Sequence, residues 1–506
     1  MENLSASIIA DLLIKVSDGV IGSDCTCSRH TLQLISIKER RKNEPPLDKG
    51  HIPWLGHALE FGKDAAKFLA RMKEKHGDIF TVCVAGHYVT VLLDPSSFDG
   101  VLGDTVSFDF SRIRGQLVKR IFSLQLPNSD PALERAWMET HFQGVSLRKL
   151  SSSMSSHLYN LLVTNRNSCS SSMWTEDELF GFCYSLLFRA GYLTLFEKED
   201  NAAAVYREFR KFDELLTKLA RSTLKREEGK IARASQEQLW ELLSPRCLNE
   251  DSDSWQQSYR RFLREQGMDA DVQNKALLLQ LWTTQCNAGP AAFWILGFLL
   301  THPEAMEAVK LEIRGLSTLQ NTSLQRPALN QLEAQHTPVF DSVLKETLRL
   351  TAAVMINREV MQEKVLRMAD GREYLLRRGD RVCLFPFLSP QMDPEIHQEP
   401  QMFKYDRFLT PSRTLKDDFY KDGRRLKYYI MPWGAGRNSC VGRDEFTIIS
   451  SRPFVFLLLT HLDLELCHPD AKLPPVNPKR YGFGMLQPDG DLQVRYRLKT
   501  TRSADP

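Results

Sequence analysis

The chain has 506 residues, of which 66 are Lys or Arg and 63 are Asp or Glu, so its formal net charge is only +3. This balance gives no basic field for a nucleic-acid partner, and a hydrophobic content of 42% excludes an intrinsically disordered chain. Ten cysteines, spread from Cys25 to Cys467, do not form the dense framework of a small secreted domain. We therefore expect mostly reduced thiols.

Residues 1–43 are predicted to form an N-terminal segment and linker. They contain no window of about 20 apolar residues that would span a membrane, and no clean signal peptide. Cys25, Cys27 and His30 are metal-ligand types, but a second pair at zinc-site spacing is missing. A charge run at 38–42 and two prolines end this segment, and residues 44–506 are predicted to form one catalytic domain.

Two hairpins and two exposed connections are predicted from composition. Ile79–Val84 and residues 88–93 are β-rich runs around a short turn, and residues 481–487 and 492–498 flank Pro-Asp-Gly. The serine-rich stretches 151–156 and 168–172 predict exposed connections.

Helical patterns fill most of the remaining chain. Mixed charges over 206–230 predict a solvated helix, and 271–300 predicts a long apolar helix broken at Gly289-Pro290. Thr337-Pro338 predicts the start of a helix that runs through Leu350. The fold class is therefore mainly α with small antiparallel β-sheets, in one large domain.

The most informative stretch is the glycine-rich segment 433–443, with Cys440 near its end. Glycines six and four residues before the cysteine and two after it allow the backbone to turn tightly. Backbone amides in such a loop can stabilise a thiolate, and the apolar segment 446–466 predicts a buried helix whose N-terminus would favour the same charge. A buried structural cysteine in a glycine loop is the alternative.

This spacing resembles the haem-binding loop of the haem-thiolate superfamily, cytochrome P-450. Trp433 stands where the family usually has Phe, Gly436 and Gly442 match, and Asn438 replaces a basic residue that contacts a haem propionate. The resemblance implies that Cys440 is the axial ligand of a haem b, held between a long central helix and the cysteine loop.

Two further motifs carry the same resemblance. Glu346 and Arg349 lie three residues apart on one predicted helix, and Arg407 follows in a Phe-containing segment. In the family these three residues form a buried cluster, in which removing one member strands a charge. The resemblance runs from about Pro45 to the C-terminus.

The long apolar helix lacks the side chains that the superfamily uses to deliver protons to dioxygen. No Asp, Glu, Ser or Thr occurs from Gln285 to Ala292, and Pro290 is predicted to kink the helix. We infer that the haem acts on a substrate that already contains an O–O bond, with no electrons from a reductase. Proton transfer through ordered water is the alternative.

Segments 44–56, 119–127, 285–294, 348–360, 431–442 and 480–484 are together similar to the prostacyclin synthase family. That similarity implies an isomerase that converts prostaglandin H2, an endoperoxide, to prostacyclin without reductase or dioxygen, and that also acts on other hydroperoxides. It also implies a place at the endoplasmic reticulum membrane surface, although the usual N-terminal anchor is not evident. The alternatives are a sterol 12α-hydroxylase-like monooxygenase and a haem-containing binding protein without turnover.

The resemblance implies a set of substrate-binding residues: Arg120, Leu126, Asn287, Asn357, Arg358 and Arg381. The Asn287 amide would also be catalytic, because it can donate a hydrogen bond to an endoperoxide oxygen. A role in the helix kink is its alternative. Arg120 and Arg381 could instead be surface or propionate-binding arginines, and Leu126 could simply pack in the core.

Overall fold

The computed structural model describes residues 41–52, 54–125, 131–163, 173–196, 201–244, 254–318, 337–443 and 450–499. Most of these residues are helical. The α-helices are α1 (Ala58–Lys63), α2 (Ala65–His76), α3 (Asp99–Leu102), α4 (Ser111–Phe122), α5 (Pro131–His141), α6 (Gly144–Leu162), α7 (Leu179–Phe196), α8 (Ala202–Ala220), α9 (Arg226–Leu243), α10 (Trp255–Glu265), α11 (Ala270–Gln285), α12 (Ala288–Thr301), α13 (Pro303–Thr318), α14 (Pro338–Thr351) and α15 (Arg452–His461).

Short strands form the sheets beside these helices. They are β1 (Leu47–Asp48), β2 (Ile79–Val84), β3 (His87–Leu92), β4 (Phe108–Asp109), β5 (Thr175–Glu178), β6 (Ile356–Val360), β7 (Lys364–Arg367), β8 (Glu373–Leu376), β9 (Arg381–Leu384), β10 (Tyr420–Lys421), β11 (Arg424–Arg425), β12 (Leu462–Leu466) and β13 (Gln493–Leu498). The six-stranded sheet has the order β1-β2-β3-β9-β6-β4, and the three-stranded sheet has the order β12-β13-β5. The mainly α fold class is confirmed, with parallel pairs β1/β2 and β3/β9 inside the larger sheet.

The first predicted hairpin is confirmed, and the second is wrong. Strands β2 and β3 pair antiparallel through a two-residue turn. Near the C-terminus, β13 instead pairs with β12 and β5, so its partners come from distant parts of the chain. Residues 478–487, which we call the 478–487 loop, bond to the segment after α14: the Ala353 N–H donates to the Gly484 carbonyl at 3.0 Å.

The long apolar helix breaks, but earlier than predicted. Helix α11 ends at Gln285 and α12 begins at Ala288, so the break lies at Cys286 and Asn287. Pro290 falls in the first turn of α12, where a missing N–H removes no intrahelical hydrogen bond. The helix predicted to start after Thr337 is confirmed as α14.

Two segments predicted to be solvated are buried in part. Helix α8 buries Phe209, Phe212 and Leu216 completely, because its apolar residues recur at helical spacing on one face. Ser151 and Ser155 are buried inside α6 rather than in an exposed connection.

The predicted buried helix over 446–466 is also wrong in extent. Helix α15 ends at His461, and the chain continues as strand β12. Residues 168–172 and 444–449 lie outside the described residues.

The largest hydrophobic cluster surrounds α7, α11, α12, α14 and α15, and a second one packs α1 and α2 against the six-stranded sheet. Within the described chain, α7 alone is long and apolar enough to span a membrane. However, 78% of its residues are buried inside the protein, as in a core helix. The division of the chain at residue 43 stays a prediction.

Candidate active site

The segment before Cys440 forms a tight loop closed by its own backbone. The Cys440 N–H donates to the Trp433 carbonyl at 2.9 Å, after one turn of 3₁₀ helix at Gly436–Asn438. Gly436 has a φ of +70°, and a Cβ there would lie 3.1 Å from the Leu102 carbonyl oxygen of α3, so a side chain would not fit easily. The loop therefore holds its shape through glycine and backbone bonding.

Cys440 differs from most other cysteines in its exposure. In the described part of the chain, Cys440 and Cys467 are partly exposed, and the remaining cysteines are buried. Cys467 lies directly after strand β12, whereas Cys440 lies in the glycine loop. Arg135 of α5 donates to the Ser439 carbonyl at 2.8 Å, so a cation is held next to the cysteine. This bond ties α5 to the cysteine loop.

The structure brings Glu346, Arg349 and Arg407 together as one buried cluster. Arg349 binds the Glu346 carboxylate through two nitrogens at 2.7 and 2.8 Å, and Arg407 Nε reaches both carboxylate oxygens at 2.9 and 3.0 Å. The exposed fractions of the three side chains are 0%, 0% and 6%. Burial lowers the pKa of Arg349, while the bonds to Glu346 oppose that shift. This Glu–Arg cluster joins α14 to the segment that precedes the cysteine loop.

Asn287 lies at the break between α11 and α12 and is held from two sides. Its side-chain Oδ1 accepts a hydrogen bond at 3.0 Å from the Met485 N–H of the 478–487 loop. The carbonyl of the preceding Cys286 accepts from the hydroxyl of Tyr184 in α7 at 3.4 Å. Because Oδ1 is engaged, the donor that the Asn287 amide can offer to another group is its Nδ2.

Close packing explains why a glycine follows the break. A Cβ on Gly289 would lie 2.4 Å from the ring of Tyr184. Burial, and then the negative charge of Asp213, raise the pKa of Tyr184 well above its ordinary value, so its hydroxyl stays protonated. The break is therefore a packed junction between α7, α11 and the 478–487 loop.

The same loop is anchored a second time, by the fully buried Asp213 of α8. Its carboxylate accepts hydrogen bonds from Arg480 at 2.9 and 3.1 Å, from Gln487 at 2.8 Å and from the Trp282 indole N–H at 3.2 Å. Although burial opposes ionisation, Arg480 and Arg210 hold the pKa of Asp213 below its ordinary value. One carboxylate thus joins α8, α11 and the 478–487 loop.

The hydroxyls nearest the break are used inside the helix. Thr284 donates to the Gln280 carbonyl at 2.8 Å, and Thr283 donates to the same carbonyl at 3.1 Å. From Gln285 to Ala292 the chain has no acidic or hydroxyl side chain. The break therefore presents an amide and neither an acid nor an alcohol side chain.

Comparison with known proteins decides the family. The cytochrome P-450 family model matches residues 259–494. Prostacyclin synthase of Rattus norvegicus is 51% identical over 91% of this chain and 95% of its own length. 7-alpha-hydroxycholest-4-en-3-one 12-alpha-hydroxylase of Homo sapiens is 43% identical over 92% of this chain and 95% of its own length. Cytochrome P-450 7A1 of Sus scrofa is 34% identical over 96% of this chain and 99% of its own length.

The chain belongs to the cytochrome P-450 family. Its cofactor is therefore a cysteine-ligated haem, and the structure offers a cysteine that fits this group. Cys440 is partly exposed and lies in a glycine loop beside a bound arginine, whereas Cys83, Cys183, Cys286 and Cys383 are buried in the packed interior.

Of the other substrate-site residues expected in this cytochrome P-450, two lie on neighbouring strands. Arg358 of β6 stands opposite Val382, whereas Arg381 stands opposite Glu359, so the two arginines occupy register positions on opposite faces of the sheet. Arg358 packs over the Phe110 ring at 5.3 Å. Arg381 is only 6% exposed, which excludes the surface alternative for it.

The remaining expected residues are placed as follows. Asn357 is fully buried and shares the register face of Arg381. Arg120, at the end of α4, donates to the Ala220 carbonyl at 2.8 Å, so its guanidinium lies at the C-terminal end of α8. Leu126 lies outside the described residues.

The sequence did not point to several residues that hold this site. Tyr184, Asp213 and Met485 support the helix break, and Arg135 supports the cysteine loop. Each lies far along the chain from its partner, and in the case of Met485 the bonding group is a backbone N–H that carries no sequence signature.

Proposed function

We propose that the protein is an isomerase that converts prostaglandin H2 to prostacyclin, with Cys440 as the haem ligand and Asn287 beside the substrate. The observation that carries the proposal is the helix break. There, the Met485 N–H holds the oxygen of the Asn287 amide, and residues 285–292 have no acidic or hydroxyl side chain. The identity of 51% to a prostacyclin synthase supports the same activity.

The roles of the chain's own residues follow from this geometry. A haem with a thiolate ligand favours cleavage of an O–O bond, and the substrate already supplies that bond. The Met485 N–H fixes the orientation of the Asn287 amide, which leaves Nδ2 to donate to an endoperoxide oxygen. Tyr184 holds the break through the Cys286 carbonyl and packs against Gly289 of α12, and Asp213 holds α11 through the Trp282 indole. An isomerisation consumes neither electrons nor dioxygen, so we propose that no reductase takes part.

We propose Arg358, Arg381 and Asn357 as further site residues, from the sheet. All three are buried, with exposed fractions of 6% or less. The sheet face that carries Arg358 shares a hydrophobic cluster with Met431 and Ala435, which precede Cys440, and this supports a role for Arg358 near the cysteine loop. Asn357 and Arg381 lie on the opposite face of the sheet.

A single assay with purified holoprotein tests the function. The protein is mixed with prostaglandin H2 without reductase or NADPH, and the stable hydrolysis product of prostacyclin is measured by mass spectrometry. Rapid product formation that is lost in Cys440→Ala supports the isomerase. Formation of a 12α-hydroxylated sterol only when reductase, NADPH and dioxygen are added would support the monooxygenase, and binding without either product would support a binding protein.

We also propose that the enzyme acts at the endoplasmic reticulum membrane surface, as its family resemblance implies. Ile52, before α1, and Leu59, on the exposed side of α1, are 46% and 63% exposed, and such side chains suit contact with lipid. Fractionation of cells that express the full chain tests this proposal. Recovery in the microsomal pellet supports it, and recovery in the soluble fraction contradicts it.

A further inference from the structure

Arg221, directly after α8, is a buried cation that forms no ion pair with any aspartate or glutamate of the described chain. It is only 8% exposed. Its Nη2 donates to the Lys479 carbonyl at 2.7 Å, and its Nη1 donates to the Gly62 carbonyl at 3.4 Å. Its Nε is buried without a hydrogen-bond partner. Because burial of an uncompensated charge is costly, such a group indicates an anion that is brought from outside the chain.

The nearby carboxylates serve other arginines. Asp213 binds Arg480 and Arg210, and the exposed Glu214 also pairs with Arg210. Burial, and then repulsion from Arg480, lower the pKa of Arg221 to about 10. The guanidinium is therefore still charged at neutral pH. An anion beside it would stabilise this charge against both the burial and the repulsion from Arg480.

Arg120 also bonds at the end of α8. It comes from α4 and donates to the carbonyl of Ala220, the residue directly before Arg221. Arg221 itself reaches the Lys479 and Gly62 carbonyls. A guanidinium can bind a carboxylate through two parallel charge-assisted hydrogen bonds.

The 478–487 loop connects this position to the proposed catalytic amide. Its Lys479 carbonyl accepts from Arg221, and its Met485 N–H donates to Asn287. Arg221 and Asn287 therefore contact the same short loop, six residues apart. A ligand that extends along this loop can place one end at each residue.

We propose that Arg221 binds the carboxylate of a fatty-acid-derived substrate whose reacting end lies at Asn287. This inference rests on the proposed function and deepens it: prostaglandin H2 carries a free carboxylate at the end of one chain, separate from its endoperoxide. The site selects acids over esters and over neutral sterols.

The test compares an acid with its ester in the holoprotein. Binding of a stable prostaglandin H2 analogue and of its methyl ester is measured from the shift of the haem absorption band. The proteins are the wild type, Arg221→Gln, Arg221→Lys and, as a matched control from the exposed face of the same helix, Arg207→Gln. Charge-assisted bonds in such a site predict an acid preference of about tenfold to a hundredfold in the wild type.

In Arg221→Gln the acid preference should disappear, with the affinity for the ester unchanged within about threefold. Arg221→Lys should keep part of the preference, and Arg207→Gln should keep all of it. Equal binding of acid and ester by the wild type would overturn the proposal without any variant. An equal loss of acid and ester affinity in Arg221→Gln would also overturn it, because Arg221 would then only tie α8 to the loop.

Turnover of prostaglandin H2 by the wild type is measured in parallel. Absence of turnover together with an Arg221-dependent acid preference would count against the isomerase and leave the carboxylate site supported. Turnover without an acid preference would support the isomerase and count against the carboxylate site.

Discussion

Replacing Glu346 by Gln is expected to destabilise the protein more than any other single change in the Glu–Arg cluster. The substitution keeps the shape of the side chain and removes its charge. Arg349, which is fully buried, and Arg407, which is 6% exposed, then lose their shared carboxylate. Arg349 keeps the carbonyls of Gln391 and Pro400 as acceptors, at 2.8 and 2.7 Å, but these do not neutralise its charge.

The expected magnitude follows from what each variant leaves behind. Breaking a buried ion pair by removing one partner costs about 3–5 kcal/mol, because a buried charge is left uncompensated. Glu346→Gln leaves two such charges and belongs at the upper end of that range. Arg407→Met is expected to cost less, because Glu346 keeps Arg349 and the Lys404 N–H, the latter at 3.0 Å.

The assay is urea unfolding of the holoprotein, followed by haem absorbance and far-ultraviolet circular dichroism, together with the haem content after purification. Glu399→Gln is the matched control, because Glu399 pairs with Lys404 at the surface and is 61% exposed. Loss of such an exposed, screened pair is expected to leave the unfolding midpoint almost unchanged. If Glu346→Gln behaves like Glu399→Gln and retains full haem, the buried charges are not what stabilises this region.

Three further predictions concern the ligand, the substrate and the pH dependence of stability. Cys440→Ala should lose the red-shifted band that the reduced, carbon monoxide-bound wild type shows, and a wild-type spectrum typical of a histidine ligand would contradict the thiolate assignment. Asn287→Ala and Asn287→Asp should both slow isomerisation about tenfold to a hundredfold while keeping haem. The Asp variant retains an acceptor for the Met485 N–H and loses only the amide donor. Undiminished turnover in Asn287→Asp would show that the amide donor plays no part. Burial, with added repulsion from Arg349 and Arg407, lowers the pKa of His397 to about 3. In the unfolded chain His397 gains its proton below about pH 6.5, so stability should fall as the pH drops from there towards 3, by up to about 1.4 kcal/mol per pH unit from this site. His397→Gln should flatten that slope in urea titrations at several pH values, and an unchanged slope would show that other groups cause it.

Short-range patterns allowed several features to be predicted from the sequence. The hairpin of β2 and β3 and the start of α14 depend on residues that are neighbours along the chain, so local turn and capping chemistry is enough to predict them. The glycines around Cys440 are also a local signal, because they mark a tight backbone turn that only glycine adopts easily. The pairing of Glu346 with Arg349 could be predicted, because residues three apart lie on one face of a helix. Their complete burial and the contact with Arg407 depend on the tertiary fold.

The errors lie where long-range packing decides. Residues 206–230 look solvated because of their charges, but the apolar face of α8 is covered by other helices. The 481–487 segment looks like half of a hairpin, but it bonds to residues after α14 and to Asn287 instead of to β13. Local composition carries no information about which distant element covers a face.

The sequence by itself determined the haem-thiolate family, the absence of acidic and hydroxyl side chains from Gln285 to Ala292, and the hydrogen-bonding groups that Asn287 carries. Only the tertiary structure decided how that amide is held, that Asp213 joins two helices to one loop, and that Arg221 is buried with no acidic partner among the described residues. These contacts join residues that are far apart in the chain. Their partners are fixed by the shared burial of α7, α8, α11 and the 478–487 loop, and the energy of a buried charge depends on which groups the fold brings within a few ångströms of it.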